Sequence, residues 1–164
     1  MKKLYLILNS LLILIFLIKF SLASEEKTII GKAYVVDGDT IIIGEEKIRL
    51  YGIDAPEMKQ VCYSKLNEPY FCGLKSKNFL EKLNKDKKLI CYYSQRDRYK
   101  RIIGDCYNEN KNNINALMVL FGHAVAYERY SKKYISQEEK AKLNEKGIWQ
   151  GNFDRPEEWR KKNK

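Results

Sequence analysis

Hydrophobic and polar positions change period several times along this chain, and each change marks an element. Residues 28–36, T-I-I-G-K-A-Y-V-V, are β-branched and apolar and predict a strand. Asp37-Gly38-Asp39 reads as a turn and Thr40 to Ile43 as a second strand. Gly44-Glu45-Glu46 reads as a hairpin turn and Lys47 to Ile53 as a third strand, which Pro56 stops from continuing. Residues 58–72 show no regular period. From Gly73 to Asn84, Leu74, Phe79, Leu80 and Leu83 recur at helical spacing with lysines between them. Lys88 to Tyr93 and Arg101 to Tyr107 are the fourth and fifth strands, separated by the polar loop 94–100. Ile114 to Phe121 is a second helix, ending at Gly122. A third is expected from Ser136, with Glu139 completing a capping box, to Lys146, with Gly147 just past its end. From Arg155 on, the charged residues 155–164 predict a loose basic tail.

Five short strands, with helices after the third and fifth, predict an α+β fold: an OB-type five-stranded β-barrel with three α-helices. Such barrels often bind oligonucleotides. No internal repeat appears, and residues 24–154 suit one domain with its own core.

The first residues have a different character. Lys2 and Lys3 precede an apolar run from Leu4 to Ile18, broken only by Asn9 and Ser10, and Ser21-Leu22-Ala23 offers small residues for a cut after Ala23. This predicts a signal peptide over residues 1–23. The alternative is an uncleaved anchor, although Lys19 interrupts the run before the roughly 20 apolar residues that a span needs. The protein is therefore expected to be exported, periplasmic or secreted, and to meet a membrane only if this segment is retained.

Thirty-one Lys and Arg against 21 Asp and Glu give a formal charge of +10, which favours an anionic partner such as nucleic acid. The four cysteines, Cys62, Cys72, Cys91 and Cys106, include no C-x-x-C pair, which argues against an all-cysteine zinc site. Export makes disulfides the expectation. Of three possible pairings, Cys62–Cys72, closing a short loop, and Cys91–Cys106, stapling neighbouring strands, are favoured.

The charged residues 48–57, I-R-L-Y-G-I-D-A-P-E, raise the question of chemistry. If strands two and three pair through the 44–46 turn, partner numbers sum to about 90, and Asp39 and Asp54 lie near one end of the sheet. Two carboxylates with backbone carbonyls beside them suit a hard cation. Plain turn chemistry explains either residue alone. Glu57, on a stiff mount after Pro56, is placed to accept a proton from water. Arg49 in mid-strand and Arg101 after the loop carrying Arg96 and Arg98 offer forked donors for phosphate oxygens. A cation site, a base and two phosphate clamps are what phosphodiester cleavage needs. The same parts also suit a non-catalytic OB-fold nucleic-acid binder. His123, the only histidine, follows a helix-ending glycine and is expected to be structural.

V-D-G-D-T at 36–40, I-R-L-Y-G-I-D-A-P-E at 48–57, D-R-Y-K-R at 97–101, V-A-Y at 125–127 and K-G-I-W at 146–149 together resemble the staphylococcal nuclease (thermonuclease) family, over about residues 28–150. The resemblance implies a Ca²⁺-dependent endonuclease acting on DNA and RNA, single strands preferred, with low sequence specificity and no obligate protein partner. It implies Ca²⁺ held by Asp39, Asp54 and the Ala55 carbonyl, with Glu57 as general base and Arg49 and Arg101 neutralising the phosphorane. It also implies Arg98, Tyr99 and Tyr127 in contact with substrate, where stacking tolerates any base. The family usually has glycine at the position of Lys100; a left-handed backbone there would strain lysine by ~1 kcal/mol.

Overall fold

The structure is a computed structural model and describes residues 26–85 and 88–164; the expected signal peptide lies outside the described residues. Among the described residues no helix is long and apolar enough to cross a membrane.

Strands β1 (Lys27–Val35), β2 (Thr40–Ile43), β3 (Glu46–Leu50), β7 (Lys88–Tyr93) and β8 (Ile102–Asn108) close a barrel in the order β1-β2-β3-β8-β7. All pairs are antiparallel except β3 with β8. The barrel closes because one face of every strand is apolar. Ile41 and Ile43 of β2, Ile48 and Leu50 of β3, Leu89 of β7 and Ile102 of β8 are all buried in one core. Burial of such side chains contributes about 1.5–3 kcal/mol each. The β2–β3 hairpin pairs Thr40 with Arg49 and Ile41 with Ile48, within one residue of the register expected.

Helix α1 (Cys72–Asn84) seals the core with Leu80, and α2 (Ile114–Leu120) with Ile114, Met118 and Val119. Asn113 caps α2, its side chain accepting from the Ala116 N–H at 2.7 Å. Cys91 and Cys106 face each other across β7 and β8 and are bridged, as are Cys62 and Cys72. For the 15-residue separation of the first pair, chain entropy gives about 3 kcal/mol of stabilisation.

The structure departs from the sequence expectations in four places. The third strand stops at Leu50, because Gly52 takes φ 71° and reverses the chain. Ile53 and Asp54 then form a separate strand, β4, paired with β9 (Val125–Ala126). Ile53 consequently joins the core. The stretch 58–72 contains a small hairpin, β5 (Val61–Tyr63) with β6 (Pro69–Phe71), tied to α1 by the Cys62–Cys72 bridge. Helix α3 (Ile135–Leu143) begins before Ser136, with Tyr134 at its N-cap and no side-chain cap, so the Ser136–Glu139 box does not form. After a 3-10 turn (Gly147–Gln150), the segment expected to be loose forms a fourth helix, α4 (Pro156–Lys162).

Candidate active site

The sharp turn between β1 and β2 and the reversal after β3 bring their charges to one end of the barrel. A single pocket there is lined by Asp37, Asp39, Thr40, Arg49, Ala55, Pro56, Glu57 and Arg101. Five of the six residues expected to carry catalysis or metal binding thus share one space. The sixth, Asp54, is joined to them through Arg49.

Arg49 sits at the centre. Its Nη1 donates to Asp39 Oδ1 and its Nη2 to Asp54 Oδ1 at 2.8 Å. The Asp39 and Asp54 side chains are 5% and 1% exposed, so their charges are stable only because they are paired. Asp39 Oδ1 also accepts from Thr40 Oγ1 at 3.1 Å, and its Oδ2 from the Ala55 N–H at 2.8 Å. Burial pushes the Asp54 carboxyl up from its ordinary value, against the pull of Arg160 and Arg49. Burial and the neighbouring Asp39 charge raise Asp37 to about 6. Burial works against the Arg49 cation, but Asp39 and Asp54 outweigh it and raise its pKa.

Glu57 stands on a braced segment. Its N–H donates to Gln60 Oε1 at 3.2 Å, and its carbonyl accepts from the Gln60 N–H at 2.7 Å. A Cβ at Gly73, in the first turn of α1, would lie 1.9 Å from the Glu57 carbonyl oxygen, so only glycine lets α1 press against this segment. Gln60 is fully buried and its Nε2 donates to the Asp154 carbonyl at 2.7 Å, tying the Glu57 segment to the entry of α4.

Arg101 is held by Asp97, which accepts from Arg101 Nε at 2.8 Å and from the Arg101 N–H at 3.0 Å. Lys100 does take a left-handed φ of 64°. The loop around it is fixed independently: the Lys100 N–H donates to the Asp97 carbonyl at 2.9 Å, and Arg96 donates to the Lys100 carbonyl at 2.9 Å. Arg98 and Tyr99 are exposed on this same loop, the Tyr99 ring lying beneath the guanidinium groups of Arg98 and Arg101. Tyr127 lies on the other side of Asp54, in an adjoining cavity with Val125, Arg129 and Arg155, and packs edge-on against Tyr130. The four cysteines stand apart from the pocket as staples.

Three residues of this assembly escaped the sequence reading: Gln60, Glu138 and Arg160. Arg160, on α4, donates from Nη1 to Asp54 Oδ1 at 3.0 Å and to Glu57 Oε1 at 2.9 Å, and from Nη2 to Asp54 Oδ2 at 2.9 Å. Local signals for α4 were present: Pro156 at the first helical position, Glu157 and Glu158 in the first turn, and Arg160, Lys161 and Lys162 in the last.

Among the described residues no group of three or more His, Cys, Asp or Glu side chains is placed to hold a metal. The two carboxylates on Arg49 are hard oxygen donors, and they fit a hard cation that takes its other ligands from carbonyls and water. His123 takes no part in the pocket. Its ring stacks on Phe79, centroids 4.0 Å apart. Burial, with Lys75 and Lys82, lowers its pKa from 6.5 to about 4. A base held neutral by the fold stabilises fully above its unfolded pKa, and that contribution is lost as pH falls from 6.5 towards 4. His123→Phe is expected to remove an acid-dependent loss on the order of 2 kcal/mol over this window, read from urea unfolding at several pH values.

Residues 47–151 match the family model described as staphylococcal nuclease homologue. The chain is 35% identical over 166 aligned residues to an uncharacterized endonuclease of Haemophilus influenzae (strain ATCC 51907 / DSM 11121 / KW20 / Rd), covering 96% of this chain and 86% of that protein. It is 36% identical over 121 residues to an uncharacterized endonuclease of Escherichia coli, covering 70% and 72% respectively. It is also 37% identical over 129 residues to the succinoglycan biosynthesis protein ExoI of Rhizobium meliloti (strain 1021), covering 77% and 68%. The barrel, the pocket and these likenesses agree: the chain belongs to the staphylococcal nuclease homologue family and is a nuclease, a phosphodiester hydrolase acting on nucleic acid.

Proposed function

We propose that the protein is a Ca²⁺-dependent endonuclease that hydrolyses DNA and RNA with low sequence specificity, single strands preferred. The observation that carries this reading is the one pocket shared by Asp39, Arg49, Glu57 and Arg101. Asp39 and Asp54 would hold the cation by their carboxylates and Ala55 by its carbonyl. A bound divalent cation polarises the phosphoryl oxygens and makes a nearby water more acidic.

The remaining chemistry belongs to the chain. Among the described residues Glu57 Oε2 has no hydrogen-bond partner, unlike Oε1, so it is the oxygen that takes the proton from the attacking water. As the water oxygen bonds to phosphorus, negative charge grows on the equatorial oxygens. Arg49 and Arg101, which line the pocket, stabilise that charge through their guanidinium N–H groups. The P–O bond to the 5′-oxygen then breaks, and that oxygen is protonated by solvent, since a guanidinium is a poor acid. Arg98 binds flanking phosphate, while Tyr99 and Tyr127 stack on bases without distinguishing them. Two buried disulfides suit an oxidising compartment and support an exported protein.

The purified oxidised protein is expected to cleave single-stranded DNA with Ca²⁺ and not with EGTA, and Asp39→Ala is expected to abolish the cleavage. Equal cleavage in EGTA would contradict the metal assignment. Salt-sensitive binding without cleavage under either condition would favour a binding module.

A further inference from the structure

We propose that Arg160 is a positioning residue of the active site, clamping Glu57 and Asp54 together so that the Glu57 carboxylate is presented to the pocket in one orientation. The inference rests on the reading of Glu57 as the proton acceptor. The Glu57 side chain is 40% exposed, so packing does not fix it. Its backbone is braced by Gln60, but among the described residues its carboxylate accepts from Arg160 Nη1 alone, at Oε1. The same Nη1 bonds Asp54 Oδ1, and Nη2 bonds Asp54 Oδ2. Asp54 is nearly fully buried on β4 and provides the rigid end of the clamp. A planar fork holds two carboxylates at fixed relative positions in this way, whereas an ammonium on a flexible stem fixes them less.

The mounting of α4 makes Arg160 a resident part of the site. Just before α4, Arg155 donates from Nη1 to Glu138 Oε1 at 3.0 Å and from Nη2 to Glu138 Oε2 at 3.2 Å and to the Ala126 carbonyl at 3.1 Å. Ala126 belongs to β9, the partner of the strand that carries Asp54. Gln60, which braces Glu57, also bonds the Asp154 carbonyl. The helix bearing Arg160 is therefore anchored to the Glu57 segment and to β9, the neighbour of the strand that bears Asp54. A removable lid would be attached elsewhere.

The test uses the full oxidised chain carrying Arg160→Gln or Arg160→Lys, with melting temperature as the folding control. At saturating Ca²⁺, Arg160→Gln is expected to lower kcat on single-stranded DNA about 100-fold while KM stays within about threefold, the signature of a misplaced group. Arg160→Lys is expected to recover only a small part of the loss. In a Glu57→Gln background, Arg160→Gln is expected to add less than about threefold, because both changes remove one function. Calorimetry without substrate is expected to show a Ca²⁺ affinity within about threefold of the parent in Arg160→Gln, since the clamp orients Glu57 and supplies no ligand to the cation. Parental or faster turnover in Arg160→Gln would overturn the proposal, as would a full loss in the Glu57→Gln background or a Ca²⁺ affinity weakened beyond that range. If the parent neither cleaves nor binds Ca²⁺, the nuclease assignment and this role fail together. A parent that cleaves, with an Arg160→Gln variant equal to it, removes the positioning role alone.

Discussion

Arg49→Met is expected to lower cleavage about 10²–10³-fold and to destabilise the metal-free protein by about 3–5 kcal/mol. The stability loss follows from one guanidinium serving two buried carboxylates. Without it, Asp39 and Asp54, at 5% and 1% side-chain exposure, face each other with one less cation between them. Like charges in a poorly solvated site respond by taking up a proton, and a protonated aspartate is a poor ligand for a hard cation. The transition-state loss is separate, since Arg49 is a fork aimed into the pocket where phosphoryl charge develops. Urea unfolding in EGTA reads the first effect. Turnover at saturating Ca²⁺ reads the second. A variant with parental stability would show that the pair is not an obligatory part of the metal-free fold.

Glu138→Ala is expected to cost about 3 kcal/mol, far more than removal of a surface glutamate. Glu138 is 1% exposed and collects three partners from different elements. The Ala126 N–H donates to its Oε2 at 2.6 Å, Arg155 forks onto both oxygens, and Lys142 lies 2.6 Å from Oε1. Substitution leaves a buried backbone donor unpaired and releases the base of α4. Arg155 and Lys142 hold the Glu138 pKa below its ordinary 4.5 despite burial. A carboxylate with a depressed folded pKa stabilises fully above its unfolded value, so the deficit of Glu138→Ala is full above pH 4.5 and shrinks as pH falls below it. A constant deficit from neutral to acid pH would show that the lost stability is packing and not charge. Because α4 carries Arg160, activity is expected to fall with stability.

The barrel was legible because its strands are short, β-branched and punctuated by turn residues, and because the β2–β3 register follows from the turn at 44–46. The pocket was legible because Asp39, Arg49, Asp54 and Glu57 lie within nineteen consecutive residues. What escaped depends on partners distant in sequence. The β4–β9 pair has two residues per strand, too few for any period to register. Ser136 and Glu139 look like a capping box, but burial of Tyr134 and Glu138 starts the helix earlier and turns Glu139 outward. The Arg160 contacts span 106 residues to Asp54 and 103 to Glu57, and charge alone made that segment look like a solvated tail. Its proline and charge order marked a helix; nothing local marked where the helix docks.

Hydrolysis in this pocket with Glu57 as base is tested by single-turnover cleavage of single-stranded DNA by Glu57→Gln at saturating Ca²⁺, with DNA affinity measured on the same preparation. The expected result is a rate lowered about 10²–10⁴-fold with DNA binding retained. Cleavage at the parental rate would contradict the account and place the proton acceptor elsewhere.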